Sequence, residues 1–197
     1  MRTLAAADVE CYGLGRMSGT EEDPWRLAKA LSGDEASWRI IIDEFSLPIW
    51  QWARSYGLTR EEAEDVAQNV WYKLKDKGSS IQEPARLPGW LATTTKREAL
   101  TILRRRRRMV DTSDELVEEL HDPQPAAAEL VEAGDMSSSV MAAFQTLSDA
   151  CRQLLALCWS GNLTYEDIAG ILGKSIGYIG PTRQRCLQLL RVRAGLT

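Results

Sequence analysis

The polar side chains best suited to bind a ligand form a set of four near the C-terminus: Tyr178, Thr182, Arg183 and Arg185. On a helix they would share the outward side, while Ile176 and Ile179 would anchor the inward side. Guanidinium groups in the first turns of such a helix suit the major groove of DNA, which phosphates flank. The set therefore predicts binding to duplex DNA, with an ordinary hairpin of two helices as the alternative interpretation.

The segment before these residues has the composition of a helix-turn-helix motif. Residues 165–172 predict a first helix, and Gly173 supplies the positive φ that a tight turn between two helices needs. Pro181 lacks a backbone donor and therefore belongs in the first turn of a helix. The second helix is accordingly expected to start near Gly177 or Tyr178.

Five consecutive arginines occupy residues 104–108, at the end of a long helix predicted over residues 89–108. A helix C-terminus favours each cation by about 0.5 kcal/mol, but five adjacent positive charges repel one another. A polyanion is therefore the expected partner, and each phosphate contact would add a salt-sensitive contribution to the affinity. A nuclear-localisation sequence is the alternative on composition alone.

Composition argues against several classes of protein. The chain has 197 residues and a formal net charge of −4, with no apolar run long enough to span a membrane and no signal-peptide pattern. Its four cysteines lack CxxC spacing, and its one histidine gives little support to a metal site or an acid–base catalyst. We expect no catalytic residue, no metal and no cofactor, and a reduced cytoplasmic interior is the default compartment.

The acidic residues are concentrated in residues 110–136, which hold nine of the 28 in the chain and contain no lysine or arginine. The remaining 19 acidic residues face 24 basic ones, so the rest of the chain carries an excess of five positive charges. The same segment contains Pro123, Pro125 and few residues that could form a core. It predicts a flexible linker between two helical domains.

The N-terminal domain is predicted to be helical over residues 23–108. Helical patterns cover residues 24–31 and 34–46, Pro48 is expected to break the second, and residues 50–56 resume it. Six of the seven tryptophans fall here, and most are expected in the core, because large aromatic side chains at helical spacing usually pack inward. Val, Ile and Thr are too sparse and aperiodic for a sheet, so the predicted fold class is all-α.

The next helix in this domain is predicted to start at a capping box formed by Thr59 and Glu62. Its buried face follows helical spacing from Ala63 to Leu74. Four residues lie opposite at the same period and form a polar stripe: Glu61, Asp65, Gln68 and Tyr72. A solvated surface is the plainest interpretation of such a stripe.

The long helix over residues 89–108 follows a loop over residues 77–88 that is rich in glycine, serine and proline. Its inner face is predicted to include Leu91, Thr95 and Ala99. The other side carries basic residues that could bind a nucleic-acid backbone: Lys96, Arg97, Arg104 and Arg105.

Four blocks of this sequence together resemble a sigma factor of bacterial RNA polymerase, of the small extracytoplasmic-function (ECF) type. They are LSGDEASW (31–38), AEDVAQNVW (63–71), PGWLATTTKREALTILRRRRR (88–108) and the C-terminal block that begins LSDACRQLL (147–191). Their order and spacing are specific, whereas any one block alone would be weak. The resemblance implies two helical domains, region 2 and region 4, joined by a flexible linker and without enzymatic activity.

The resemblance also implies a partner for the polar stripe. AEDVAQNVW matches the helix that docks on the clamp helices of the largest polymerase subunit, and Asp65 and Gln68 fall on the family's Asp-x-x-Gln positions. We therefore expect Glu61, Asp65, Gln68 and Tyr72 to bind core RNA polymerase. An anti-sigma factor is a further candidate partner.

Two contacts with promoter DNA follow from the same resemblance. Region 2 is expected to capture an unstacked base and the melted strand, with backbone contacts from Lys96, Arg97, Arg104 and Arg105. Region 4 is expected to read the upstream promoter element as a duplex through Tyr178, Thr182, Arg183 and Arg185, and to pack on the polymerase flap. Many family members have Asn after the arginine that Arg97 matches, where this chain has Glu98.

The expected organisation has four parts. An N-terminal extension covers residues 1–22, region 2 covers residues 23–108, an acidic linker that mimics nucleic acid covers residues 109–137, and region 4 covers residues 138–197. Met17 is an alternative start to Met1. A free-standing helix-turn-helix regulator would need a ligand cavity in its N-terminal domain, and an enzyme acting on nucleic acid would need clustered carboxylates or a histidine nucleophile.

Overall fold

A computed structural model describes residues 25–111 and 135–196, in which every regular element is helical. The α-helices are α1 Arg26–Leu31, α2 Glu35–Ser55, α3 Arg60–Lys77, α4 Leu87–Asp111, α5 Asp135–Gln145, α6 Asp149–Trp159, α7 Tyr165–Leu172 and α8 Ile176–Arg193. Two short 3₁₀ turns, Gly78–Ser80 and Pro84–Arg86, connect α3 to α4. The predicted all-α class is confirmed. The N-terminal extension and most of the acidic linker lie outside the described residues.

Helices α3 and α7 both begin at capping boxes. Thr59 Oγ1 accepts the backbone N–H of Glu62 at 3.3 Å, and Glu62 Oε2 accepts the backbone N–H of Thr59 at 2.8 Å. Thr164 and Asp167 make the same exchange, at 3.1 and 3.0 Å. Each box satisfies two amide groups near a helix start that need a partner from outside the helix ladder. The predicted starts of both helices are confirmed.

Helix α2 runs without interruption through Pro48, so the predicted break at this residue is wrong. Proline removes one backbone hydrogen bond, the one that residue 48 would donate to the carbonyl of Glu44. Phe45, Ile49 and Trp52, which lie on both sides of Pro48, are at most 2% exposed. Burial of these three large side chains outweighs the single lost bond and holds the two halves in one helix.

The tryptophans of the N-terminal helices are less deeply buried than expected. Trp52 is part of the core, but Trp25 is 69% exposed. The other four pack against the core with part of each ring in solvent: Trp38, Trp50, Trp71 and Trp90. An indole is large and is rarely buried completely, so partial burial of these four rings is the usual outcome.

Helix α6 is covered on more than one face. Leu154, Leu155, Ala156 and Leu157 are consecutive, and none is more than 5% exposed. A helix buries four successive positions only when neighbours cover most of its circumference. Helices α7 and α8 supply part of this cover, and α2 supplies another part. The helices on the two sides of the acidic segment therefore pack on one another.

The turn of the helix-turn-helix motif forms as predicted, but the second helix starts earlier. Gly173 ends α7 with a φ of +66°, which confirms the predicted role of this glycine. Helix α8 begins at Ile176 with Ser175 as its N-cap, ahead of the predicted start at Gly177 or Tyr178. Pro181 consequently lies in the second turn rather than the first, and α8 continues without one backbone hydrogen bond.

Candidate nucleic-acid and polymerase interfaces

Helix α8 has a buried side and an exposed side that differ partly from the prediction. The buried side follows helical spacing through Ile179, Thr182, Cys186 and Leu190, each at most 9% exposed. Thr182 lies three residues after Ile179 and four before Cys186, so helical geometry turns it inward. Its predicted outward position is therefore wrong. Ile176, predicted to be an anchor, is 58% exposed because it lies at the very start of the helix.

The exposed side of α8 presents Arg185 between two glutamines that the sequence analysis missed. Gln184, Arg185 and Gln188 are all exposed. Amide and guanidinium groups are the side chains that read base edges most directly in the major groove. The i, i+4 spacing of Gln184 and Gln188 was the available signal. Arg183 is half-buried, and so is Tyr178, whose ring lies 5.7 Å from the ammonium group of Lys174.

The basic residues of α4 differ in what they contact. Arg97, Arg104 and Arg105 are exposed. Lys96 is half-buried, and its Nζ donates a hydrogen bond to the carbonyl oxygen of Ile171, at the end of α7. This hydrogen bond uses one of the three N–H donors of the ammonium group, so the other two stay available to a phosphate.

The start of α4 also lies close to the start of α7. A Cβ placed on Gly89 would lie 3.4 Å from Oδ1 of Asp167, which shares the capping box of α7 with Thr164. This distance is an ordinary van der Waals contact, so the two helices are close neighbours here. Together with the contact of Lys96 on Ile171, this approach holds the beginning of α4 against the first helix of the helix-turn-helix motif.

Arg106 differs from its neighbours in the arginine run because it is engaged by α3. Its Nε donates to Glu62 Oε1 at 2.8 Å, and its Nη2 donates to Glu62 Oε2. Glu62 also shares the capping box of α3 with Thr59, so one carboxylate joins the start of α3 to the end of α4. Arg106 therefore has a structural role, while Arg105 remains on the surface.

We predict that Arg106→Ala and Arg105→Ala affect different properties. Arg106→Ala removes both hydrogen bonds to a partly buried carboxylate and should lower the free energy of unfolding by about 1 kcal/mol. Arg105→Ala should change it by less than about 0.5 kcal/mol, yet weaken binding to single-stranded DNA. Urea unfolding and a DNA titration on both variants provide the check. Equal loss of stability in the two variants would contradict this assignment.

Glu98, which stands where many ECF factors have Asn, makes an ion pair with Lys73 of α3. The Glu98 side chain is only 16% exposed and the Lys73 side chain 45%. Glu98 therefore joins α4 to α3. The basic surface of α4 keeps its positive charge because this acid is neutralised locally.

All four residues of the polar stripe on α3 are exposed, as the sequence analysis predicted: Glu61, Asp65, Gln68 and Tyr72. The opposite face is anchored by Val66, Val70 and Leu74, which are completely buried. Tyr72 is 72% exposed. Exposed aromatic rings are enriched in protein interfaces, so Tyr72 favours a partner surface over a solvated one. Binding of the polymerase by this stripe remains a prediction.

Two buried titratable groups belong to the core of the N-terminal helices. Glu44 is 4% exposed, and burial raises the pKa of its carboxyl group, while the positive charge of Arg26 acts in the opposite direction. Burial also raises the pKa of Tyr56 to about 12. Across residues 25–111 and 135–196, no group of three or more acidic, histidine or cysteine side chains could hold a metal ion.

Comparison with known proteins identifies the segment that carries the polar stripe and the basic face of α4. Residues 41–109 match the family model for sigma-70 region 2. The chain is 24% identical over 164 residues to the ECF RNA polymerase sigma factor SigE of Mycolicibacterium smegmatis, covering 81% of this chain and 63% of that one. It is 28% identical over 119 residues to EcfG of Rhodopseudomonas palustris, covering 60% and 64%.

Two solved structures have a similar fold. The sigma factor RpoE of Bartonella quintana, solved in complex with the anti-sigma factor NepR, matches with a TM-score of 0.60 and 26% identity over 79% of this chain and 97% of that one. CnrH, solved with the cytosolic domain of CnrY, matches with a TM-score of 0.56 over 85% of this chain and 93% of that one. At 17% identity, CnrH supports the fold alone.

Residues 41–109 thus form a sigma-70 region 2 unit. The chain as a whole is similar to ECF-type sigma factors, since its curated and structural relatives match on both sides of the acidic segment. This similarity disfavours the free-standing regulator. The chain spans a little less than two thirds of the length of the two curated relatives. Among the described helices, none combines the length and apolar character that a membrane crossing requires.

Proposed function

We propose that this chain binds core RNA polymerase, recognises upstream and downstream promoter elements, and directs promoter melting and the start of transcription. One observation carries the proposal: a single region 2 unit presents an exposed polar stripe on α3 and an exposed arginine surface on α4. The first surface suits a protein partner and the second suits a nucleic-acid backbone. A subunit that joins a polymerase to DNA needs both.

The roles within this function follow the charge and exposure of the side chains. Glu61, Asp65, Gln68 and Tyr72 would contact the clamp helices of the polymerase. Arg97, Arg104 and Arg105 would hold the melted strand, while the exposed side of α8 would read the duplex. The division into region 2 over residues 23–108 and region 4 over residues 138–197 is part of the proposal. The chain would act in the cytoplasm and have no catalytic activity of its own.

Lys96 would add to the contacts with the melted strand. Its ammonium group uses one N–H donor on the carbonyl oxygen of Ile171 and keeps two more that could bind a phosphate. An anti-sigma factor is a further proposed partner, and the similarity to RpoE, which was solved with NepR, supports it.

The experiment that tests this function is reconstituted transcription. The purified chain is added to core polymerase on genomic DNA fragments of the source organism, and the 5′ ends of the transcripts are mapped. We expect start sites that depend on the chain and share an upstream sequence element.

A further inference from the structure

Two of the three cysteines in the described part of the chain are joined. A disulfide links Cys151 of α6 to Cys186 of α8, with their Cα atoms 5.5 Å apart. Cys151 is 9% exposed and Cys186 is 1% exposed. Cys158, the third cysteine of that part, is half-buried and lies outside this disulfide. This pairing differs from the reduced cysteines that the sequence predicts.

The link connects two helices at a place that matters for the proposed function. Cys151 is the third residue of α6, and Cys186 lies on the buried side of α8 directly after Arg185. The disulfide therefore joins α8 to α6 on the buried side of α8, whereas Gln184 and Arg185 lie on the exposed side. It can restrain the helix without covering the surface that would enter the DNA groove.

Apolar burial joins these helices in addition to the link. Helices α6 and α8 are in contact, and Leu154 of α6 and Ile179 and Leu190 of α8 are at most 6% exposed. A protein that works with RNA polymerase inside a cell meets a thiol pool that keeps most cysteines reduced. Intracellular disulfides in such a setting are usually transient and redox-sensing rather than permanent. Cysteines already positioned for bonding by a packed core are suited to that use.

We propose that Cys151 and Cys186 form a reversible redox link that stabilises the helix-turn-helix unit under oxidising conditions. The more exposed Cys151 thiolate attacks a small-molecule disulfide such as oxidised glutathione, forming a mixed disulfide and releasing one thiol. Cys186 then attacks the Cys151 sulfur and releases the second thiol. Two cysteine thiols are oxidised, one external disulfide is reduced to two thiols, and their protons pass to solvent or to the departing thiolates.

Oxidation should therefore stabilise the helix-turn-helix unit and leave the exposed side of α8 accessible to DNA. Closing a loop between residues 151 and 186 lowers the conformational entropy of the unfolded chain. This change should raise the melting temperature by about 10 °C. The oxidised protein should therefore keep α8 ordered at temperatures that melt the reduced one. The inference depends on the proposed function only for the compartment and for the role of α8.

The first test counts thiols on the full-length chain, equilibrated in buffers with different ratios of oxidised to reduced glutathione. Alkylation under denaturing conditions and mass spectrometry should show Cys151 and Cys186 as thiols at the reducing end and as a linked pair at the oxidising end. The change should reverse on adding reduced glutathione. Thiols at both positions throughout, a different pairing of either cysteine, or a link that survives the most reducing buffer would each overturn the proposal.

The second test measures melting temperature in the same buffers. Cys158→Ser is the matched control and should gain about 10 °C on oxidation, like the natural chain. Cys151→Ser and Cys186→Ser should gain nothing, and either suffices if the other fails to fold. An equal gain in Cys151→Ser would overturn the link as the cause. Neither test uses polymerase or DNA, so its failure is separate from a failure of the transcription experiment.

Discussion

The double substitution Asp65→Ala with Gln68→Ala is expected to weaken binding to core RNA polymerase by roughly 2–4 kcal/mol, about 30- to 1,000-fold. Both side chains are exposed on α3, whereas Val66 and Val70 are completely buried on its other face. The fold should therefore survive the change, and the loss should come from interfacial polar contacts. Fluorescence titration of labelled chain with core polymerase measures it.

A matched control comes from α2, which carries the same two residue types on its own surface. Asp43 and Gln51 are both exposed and lie outside the polar stripe. Asp43→Ala with Gln51→Ala should leave polymerase affinity within about threefold of the natural chain, since isolated surface substitutions are usually near neutral. Thermal melting of both double variants must match. Natural affinity in the α3 variant would mean that the stripe is only solvated.

Arg185→Ala is expected to weaken promoter binding by about 1–3 kcal/mol and to relax specificity at one base pair of the upstream element. Arg185 lies on the exposed side of α8 between Gln184 and Gln188, the position from which a guanidinium can reach base edges. Holoenzyme binding to a panel of promoter variants measures both effects. Arg191→Ala, an exposed arginine near the end of the same helix, is the control.

Three outcomes of the Arg185 experiment are distinguishable. Loss at one base-pair position assigns base readout. Equal loss on every promoter, with a salt slope reduced by about one, would assign a phosphate contact instead. No greater loss than in the Arg191 variant would contradict the position of α8 in the groove.

The elements that the sequence predicted well are those with local signals. The capping box of Thr59 and Glu62, the polar stripe of α3 and the turn at Gly173 each depend on residues within one or two helical turns. Side-chain chemistry and helical period are enough to specify such features. The same holds for α7, whose predicted bounds agree with those observed.

The features that sequence reasoning missed depend on contacts between distant residues. Glu62 and Arg106 are 44 residues apart, Lys96 and Ile171 are 75 apart, and nothing near either end indicates the partner. Local helix propensity predicts a break at Pro48, but burial of the side chains around it keeps α2 continuous. The polar side chain of Thr182 favours an outward position, but its spacing of three residues from Ile179 turns it inward.

Transcription by core polymerase with and without this chain is the most direct test of the central claim. On genomic fragments of the source organism, the chain should produce mapped start sites that core polymerase alone does not use, preceded by a shared upstream element. Asp65→Ala with Gln68→Ala should reduce these transcripts, and Asp43→Ala with Gln51→Ala should not. A different sigma factor, added to the same core polymerase, shows that the polymerase is active. If it is active and the folded natural chain adds no new start sites, the account is contradicted.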